Sequence, residues 1–168
     1  MSKAFVIIDM QNDFVTGALG NPECQAVVPK IVHILKNNSY DKVIFTRDTH
    51  TEDYLNTQEG KNLPVEHCIK GTEGWNIVKE ILEAASEYDI INKISFGSVE
   101  LAEALKGYDE IDLTGVCTGI CVISNALIIK AVNPEAKINV IEEATACVTP
   151  DSKQTALDAM KLCQINIS

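Results

Sequence analysis

The chain has 168 residues, of which 46% are hydrophobic and 23% are charged, as is ordinary for a soluble globular protein. Its net charge of −10 argues against nucleic acid or an anionic membrane surface as a partner, and no basic run contradicts this. The length fits a single domain, which we expect to span residues 1–168.

The cysteines and the N-terminus indicate in which cellular compartment the protein is expected. Six cysteines are too few for a chain of this length to indicate a disulfide scaffold. The N-terminal apolar run is short and ends at Asp9, so it is typical of neither a signal peptide nor a membrane span. We therefore expect a cytoplasmic protein with free thiols, and the sequence leaves homo-oligomerisation open.

Apolar runs alternate with segments of helical spacing along the chain. Runs rich in β-branched residues predict buried strands, and segments with apolar residues every three or four positions predict helices. The strands are predicted at 4–8, 42–46, 88–91, 111–116, 136–141 and 164–167, and the helices at 27–35, 75–85, 98–105, 120–131 and 152–162. This alternation is typical of an α/β fold with a doubly wound, mainly parallel six-stranded sheet and helices on both faces.

Residues that can carry chemistry follow four of the predicted strands. Asp9 follows the first strand, Asp48 and His50 the second, Lys93 the third and Cys121 the fourth. Doubly wound sheets bind their ligands beyond the carboxyl ends of the strands. We therefore expect these side chains to meet at one edge of the sheet.

Cys121 is a candidate nucleophile at the start of the predicted helix 120–131. Unpaired backbone N–H groups and the positive end of the helix dipole favour a thiolate at this position. The same N–H groups could hold an oxyanion beside the sulfur. A cysteine that only packs in the core is the commoner explanation of such a residue, so this stretch alone leaves both interpretations open.

A long segment between His50 and Gly71 shows little helical or strand pattern. Loops of this length inside a compact domain are usually functional or disordered. Asp48, His50, Glu59 and His67 lie in or beside it, and all four can bind a metal. For the short Asp48–His50 spacing taken alone, a solvated loop is the commoner explanation.

Three segments occur in a characteristic order. They are Asp-Met-Gln-Asn-Asp-Phe at 9–14, Lys93, and Gly-Val-Cys-Thr-Gly-Ile-Cys-Val at 115–122. Together they resemble the isochorismatase-like cysteine hydrolases, and within that family the nicotinamidases. The resemblance covers most of the chain and implies the family's fold, hydrolysis of a small-molecule amide, and catalysis rather than packing at Cys121.

The resemblance also implies a role for each matching residue. Cys121 would attack the amide carbonyl to give a thioester, and Asp9 would pass the thiol proton to the departing ammonia. Lys93 would favour the thiolate and hold the carboxylate in place. The backbone N–H groups of Cys117 and Cys121 would form the oxyanion hole, with a cis peptide between Val116 and Cys117.

A divalent metal ion is the cofactor that the resemblance implies. Its ligands would be Asp48, His50, Glu59 and His67, with Glu59 at a position that varies in the family between histidine and glutamate. Two imidazoles and two carboxylates suit Zn²⁺, with Fe²⁺ or Mn²⁺ as alternatives. His33, on the apolar face of the first predicted helix, is expected in the core or at the surface rather than as a ligand.

Two positions depart from the family pattern and bear on the substrate. Gly119 stands where relatives often carry aspartate, and the segment before His67 lacks an aromatic residue for stacking on a pyridine ring. Phe14 and Leu63 are then the expected contacts with the two faces of the substrate. Nicotinamide is the first expected substrate and another small amide the alternative, whereas isochorismate cleavage has no use for the metal ligands. A non-catalytic protein with a structural metal is an alternative of another class, although structural zinc sites are usually richer in cysteine.

Overall fold

The computed structural model describes residues 1–168 and is built around one parallel sheet. Its strands are β1 Lys3–Ile8, β2 Lys42–Asp48, β3 Asp89–Lys93, β4 Glu110–Val116, β5 Lys137–Ala146 and β6 Asn166–Ile167. Their order across the sheet is β3-β2-β1-β4-β5-β6, and every neighbouring pair is parallel. The predicted α/β fold with a doubly wound six-stranded sheet is confirmed.

Seven α-helices connect and cover the strands. They are α1 Asn12–Val15, α2 Pro22–Asn37, α3 Gln58–Asn62, α4 Lys79–Ala84, α5 Val99–Ala104, α6 Ile123–Val132 and α7 Pro150–Leu162. Short 3-10 turns lie at Tyr54–Asn56 and Glu73–Trp75, and a π-helical turn at Thr118–Val122. None of these helices is both long and apolar enough to cross a membrane.

Two predicted helices begin later than expected, and the helix predicted at 27–35 begins earlier, at Pro22. The helix predicted at 75–85 begins only at Lys79, because Ile77 forms an isolated bridge with Gln11 and the N–H of Val78 donates to the carbonyl of Met10. The helix predicted at 120–131 begins as the π-helical turn and becomes α-helical at Ile123. At Ile77 and Val78, contacts with the chain after β1 override the local periodicity.

Two other expectations also need correction. The segment between His50 and Gly71 is not without helical structure, since it contains the turn Tyr54–Asn56 and helix α3. His33 lies on the exposed side of α2, where its carbonyl and ring accept the side-chain amide of Asn37, rather than on the apolar face.

Separate apolar cores cover the two faces of the sheet. Phe5 and Ile7 of β1 point into the core beneath α2 and α4, whereas Val6 and Ile8 point into the core beneath α5, α6 and α7. Side chains alternate between the two faces of a strand, so a strand buried on both sides must be apolar throughout. This explains the uninterrupted apolar run at the start of the chain.

The direction of strand addition reverses between β1 and β4, which places a crevice beyond their carboxyl ends. Gly115 near the end of β4 has a φ of +103°, and a Cβ there would lie 2.1 Å from the carbonyl oxygen of Ile8. Glycine therefore allows β4 to approach β1 closely. The residues that follow these two strands are brought side by side.

Candidate active site

Four strand ends deliver four buried side chains to this crevice. Asp9 directly follows β1, Asp48 ends β2 and Lys93 ends β3. Cys121 lies in the π-helical turn that follows β4, and only 5% of it is exposed. The structure thus brings together the three residues with expected catalytic roles and one of the expected metal ligands.

Lys93 is the centre of this cluster. Its Nζ lies 2.7 Å from Asp9 Oδ2, 3.5 Å from Asp48 Oδ1 and 3.8 Å from Cys121 Sγ. Burial by itself lowers the pKa of Lys93, but the negative charges of Asp9 and its neighbours raise it above its usual value. The ammonium therefore stays charged although its side chain is inaccessible to solvent.

Asp9 is held in an unusual backbone conformation, with a φ of 51°. Aspartate tolerates this left-handed region better than most residues, and such conformations cluster at functional sites. Thr46 on β2 donates its hydroxyl to Asp9 Oδ1 at 2.6 Å and accepts the Asp9 N–H at 3.1 Å. Burial raises the pKa of Asp9, and the nearby Lys93 opposes that rise. Thr46 was not identified from the sequence.

The thiol of Cys121 lies beside the carboxylate of Asp9. Burial and the Asp9 carboxylate raise its pKa well above the usual value, and Lys93 acts in the opposite direction. The expectation that the helix start would ease deprotonation of this thiol is therefore wrong. Loss of water and the neighbouring carboxylate outweigh the backbone N–H groups, so the proton must be taken by a partner inside the cluster.

The turn that carries Cys121 is closed by the carbonyl of Cys117, which accepts the N–H groups of Ile120 at 3.0 Å and Val122 at 3.1 Å. The peptide between Val116 and Cys117 is cis. The turn therefore places the backbone of Cys117 next to that of the nucleophile candidate.

A buried amide connects this turn to the segment after β3. Asn125 donates to the carbonyls of Cys121 at 2.8 Å and Phe96 at 3.1 Å, and it accepts the N–H of Ser98 at 2.9 Å. These bonds tie the Cys121 turn to the loop that follows Lys93. Because its partners lie on other elements, no sequence pattern identified this residue.

The four expected metal ligands converge beside Lys93. One ligand atom from each of Asp48, His50, Glu59 and His67 can be chosen so that all lie within 4.8 Å of one another. Asp48 Oδ2 is 2.9 Å from His50 Nε2 and 3.6 Å from His67 Nε2, and Glu59 Oε1 is 3.6 Å from both nitrogens. Asp48, His50 and His67 are buried, whereas Glu59 is partly exposed.

The donor chemistry of this group fits a divalent metal. His67 Nδ1 lies 2.8 Å from the carbonyl of Val65, and donating there leaves the Nε2 lone pair directed at the carboxylates. Tyr54 packs edge-on against both imidazoles, with ring centres 4.7 Å from His50 and 5.0 Å from His67. The other carboxylate oxygen of Asp48, Oδ1, faces Lys93 Nζ at 3.5 Å, so Oδ2 is the oxygen that faces the imidazoles.

The pKa shifts of His67 and Asp48 also favour a bound cation at this site. Burial by itself lowers the pKa of His67, but hydrogen bonds to Asp48 and Glu59 raise it to about 10. Burial raises the pKa of Asp48, and its bonds to His50 and His67 outweigh this and lower it below the usual range. Two close carboxylates thus draw a cation, either a proton on the imidazole or a metal ion in its place.

Gln11 holds the backbone on which Asp48 sits. Its side-chain amide donates to the carbonyls of Asp48 at 2.8 Å and Trp75 at 2.9 Å, and its oxygen accepts the Asp48 N–H at 2.7 Å. Sequence reasoning treated Gln11 only as part of a motif. Its position two residues after Asp9 was the available signal for this role.

The two residues expected to contact the substrate are placed differently. The Phe14 ring lies 5.5 Å from the His67 ring at an angle of 58°, so it borders the candidate metal site. Leu63 accepts the Tyr54 hydroxyl with its carbonyl at 2.8 Å, and 39% of the residue is exposed. The contact of Leu63 with a substrate therefore stays a prediction.

Comparison with known proteins agrees with this geometry. The isochorismatase domain family matches residues 3–168, and the chain belongs to this family. An uncharacterized isochorismatase family protein, PncA of Bacillus subtilis, is 29% identical over 175 residues, covering 94% of this chain and 93% of the relative.

Two solved structures are also similar. The pyrazinamidase of Pyrococcus horikoshii, in complex with zinc, superposes with a TM-score of 0.83 at 27% identity, covering 100% of this chain and 99% of the other. The pyrazinamidase/nicotinamidase of Streptococcus mutans gives a TM-score of 0.83 at 27% identity, with coverage of 99% and 100%. The resemblance to nicotinamidase-like members of the family is confirmed.

Proposed function

We propose that this protein is a metal-dependent amidohydrolase that converts nicotinamide to nicotinate and ammonia. The observation that carries the proposal is the contact of one buried thiol, Cys121, with a buried carboxylate and a buried ammonium. The names of the similar solved structures support a pyridine or pyrazine carboxamide as the substrate class. Nicotinate as the product would place the reaction in pyridine nucleotide salvage.

Acylation begins with proton transfer from Cys121 to Asp9. The raised pKa of Asp9 makes its carboxylate a stronger base than a solvated one, and Lys93 stabilises the negative charge that passes from oxygen to sulfur. The sulfur attacks the amide carbonyl. Backbone N–H groups of Cys117 and Cys121 stabilise the oxyanion that develops.

The intermediate then collapses to a thioester. Asp9 returns its proton to the departing nitrogen, the carbon–nitrogen bond breaks and ammonia leaves. Asp9 next takes a proton from a water molecule that attacks the thioester. The carbon–sulfur bond breaks, the carboxylic acid product is released, and Asp9 returns the proton to the Cys121 sulfur, which restores the starting state.

Asp48, His50, Glu59 and His67 would hold one divalent ion, with Zn²⁺ favoured by the mixed nitrogen and oxygen donors. A bound ion would supply a coordination position for the ring nitrogen of the substrate. Phe14, beside His67, would cover one face of that ring. We propose that the whole of residues 1–168 acts as one domain on a small molecule, without nucleic acid.

Ammonia release tests the proposal directly. The purified protein is assayed with nicotinamide, pyrazinamide and a panel of non-aromatic amides, and the Cys121→Ala variant serves as the blank. Turnover of the aromatic amides that disappears in the variant supports the assignment. Turnover of only non-aromatic amides would instead favour another small amide as substrate, in keeping with the exposed Leu63.

A further inference from the structure

Three of the six cysteines form a thiol cluster outside the proposed catalytic chemistry. The side chain of Cys117 lies beside those of Cys24 and Cys147. Cys24 lies in the first turn of α2, Cys117 directly follows β4 and Cys147 directly follows β5. All of them are free thiols, and the mechanism above uses none of their sulfur atoms.

The sheet register makes Cys117 and Cys147 neighbours. Strands β4 and β5 are parallel, and their last registered pair is Val116 with Ala146. The residue that directly follows each strand is a cysteine. Paired strands lie about 4.8 Å apart, so these two cysteines leave the sheet from positions that are within the 4.4–6.8 Å range of Cα separations that disulfides require.

The surroundings of Cys147 favour its thiolate. The Cys117 thiol and the N–H groups of Gly119 and Val148 face its sulfur, and together they lower the pKa of Cys147 to about 5 despite burial. A thiolate attacks peroxides, whereas a thiol does not. Cys147 therefore supplies a nucleophile and Cys117 a resolving thiol beside it.

We propose that Cys117 and Cys147 are a reversible oxidation site that forms a disulfide with small hydroperoxides. The Cys147 thiolate attacks one peroxide oxygen, the O–O bond breaks, and water or an alcohol leaves as Cys147 becomes a sulfenic acid. The Cys117 sulfur then attacks the sulfenic sulfur, losing its proton as the S–S bond forms and a water molecule departs. Two thiols are oxidised and one peroxide is reduced.

The disulfide acts on the turn that carries Cys121. In the reduced state the Cys147 sulfur accepts the N–H of Gly119, and a Cβ at Gly119 would lie only 3.5 Å from that sulfur. Formation of the disulfide removes the anionic Cys147 sulfur that accepts the N–H of Gly119 in the middle of the turn. It also displaces the side chain of Cys117, which lies at the start of the turn. Because Cys117 supplies a proposed oxyanion donor, oxidation should strongly lower the rate of turnover.

The site itself is tested without any activity measurement. In the Cys121→Ala variant, hydrogen peroxide should produce a peptide pair linked through Cys117 and Cys147 that disappears with dithiothreitol. Lys130 and Lys137 lie between the two cysteines, so trypsin places them on separate peptides. Cys24→Ser should retain the link and Cys147→Ser should lose it. A link between Cys24 and Cys117, or oxidation of Cys147 to a sulfinic acid without any link, would overturn the assignment.

The effect on turnover rests on the proposed function and is measured separately on chains that keep Cys121. Peroxide should lower the ammonia-release rate on the order of a hundredfold, as expected for a displaced oxyanion donor, and dithiothreitol should restore it. The Cys147→Ser variant is compared with its own untreated rate. In this variant, dithiothreitol should restore none of the rate that peroxide removes. Full turnover by protein whose Cys117–Cys147 link has been mapped would overturn the regulatory role while leaving the oxidation site in place.

Discussion

The hydroxyl of Thr46 lies 2.6 Å from Oδ1 of Asp9, and the same hydroxyl accepts the Asp9 N–H. Thr46 is on β2 and Asp9 follows β1, so the pair of bonds fixes the carboxylate across a strand boundary. Oδ2 is left for Lys93, 2.7 Å away. The hydrogen bond from Thr46 also lowers the pKa of Asp9, against the effect of burial. Thr46 is thus a positioning residue for the proposed base.

Replacing Thr46 with Val should lower kcat/KM about tenfold or more, since valine keeps the shape but leaves Asp9 without a buried hydrogen-bond donor, a loss of about 1–3 kcal/mol. Removal of that donor raises the pKa of Asp9. The base must be deprotonated to act, so the acid limb of the pH–rate profile should move to higher pH.

Thr46→Ser is the matched control because it keeps the hydroxyl, and it should restore both the rate and the position of the acid limb. A valine variant whose rate falls without any displacement of that limb would contradict a role through the Asp9 carboxylate.

Cys121→Ala should abolish ammonia release, because no other sulfur contacts Asp9 and Lys93 in this crevice. The melting temperature should change little, since a single sulfur atom is removed. Cys163→Ala is the control, as Cys163 is exposed and free, and it should keep full activity. Measurable turnover by Cys121→Ala would exclude a covalent mechanism.

Lys93→Met should lower both the reactivity of the Cys121 thiol and the free energy of unfolding. The ammonium favours the Cys121 thiolate, so its removal raises the Cys121 pKa, and alkylation of that thiol by iodoacetamide at a fixed alkaline pH should slow. Asp9 and Asp48 lose their shared buried cation, which should lower the free energy of unfolding by about 3–5 kcal/mol. Alkylation of the exposed Cys163 in the same sample provides the internal standard. An unchanged rate at Cys121 would contradict the assigned electrostatic role.

Metal analysis should find one divalent ion per chain in protein purified without chelator. EDTA should suppress turnover while the sheet and its two cores stay folded, because the ligands lie at the edge of the sheet rather than inside either core. A steep fall in melting temperature on chelation would instead indicate a structural metal.

The variant Glu59→Gln should lower the affinity for the divalent ion on the order of tenfold or more, because one of two anionic ligands is removed. Competition with a chromophoric chelator measures this affinity. Glu52→Gln is the matched control, since Glu52 is an exposed glutamate on the same segment. Equal metal affinity in the two variants would remove Glu59 from the ligand set.

Local patterns were reliable where a strand or helix is stabilised by its own burial. All six strands and the helix predicted at 98–105, which the structure has at Val99–Ala104, were predicted from apolar runs and spacing. The helix predicted at 75–85 was wrong over its first turn, because the bridge of Ile77 to Gln11 joins residues far apart in sequence. The pKa direction of Cys121 was also wrong, because burial and the Asp9 charge depend on the assembled site.

The sequence by itself determined the α/β alternation and the chemistry of each strand end, because alternating apolar runs and polar residues after them are local properties. Only the tertiary structure decided how these ends meet. The strand order places β2 between β3 and β1, so Lys93 must extend past Asp48 to reach Asp9, and its long stem allows this. The supporting partners Thr46 and Asn125 likewise act through hydrogen bonds between separate elements, which no periodicity encodes.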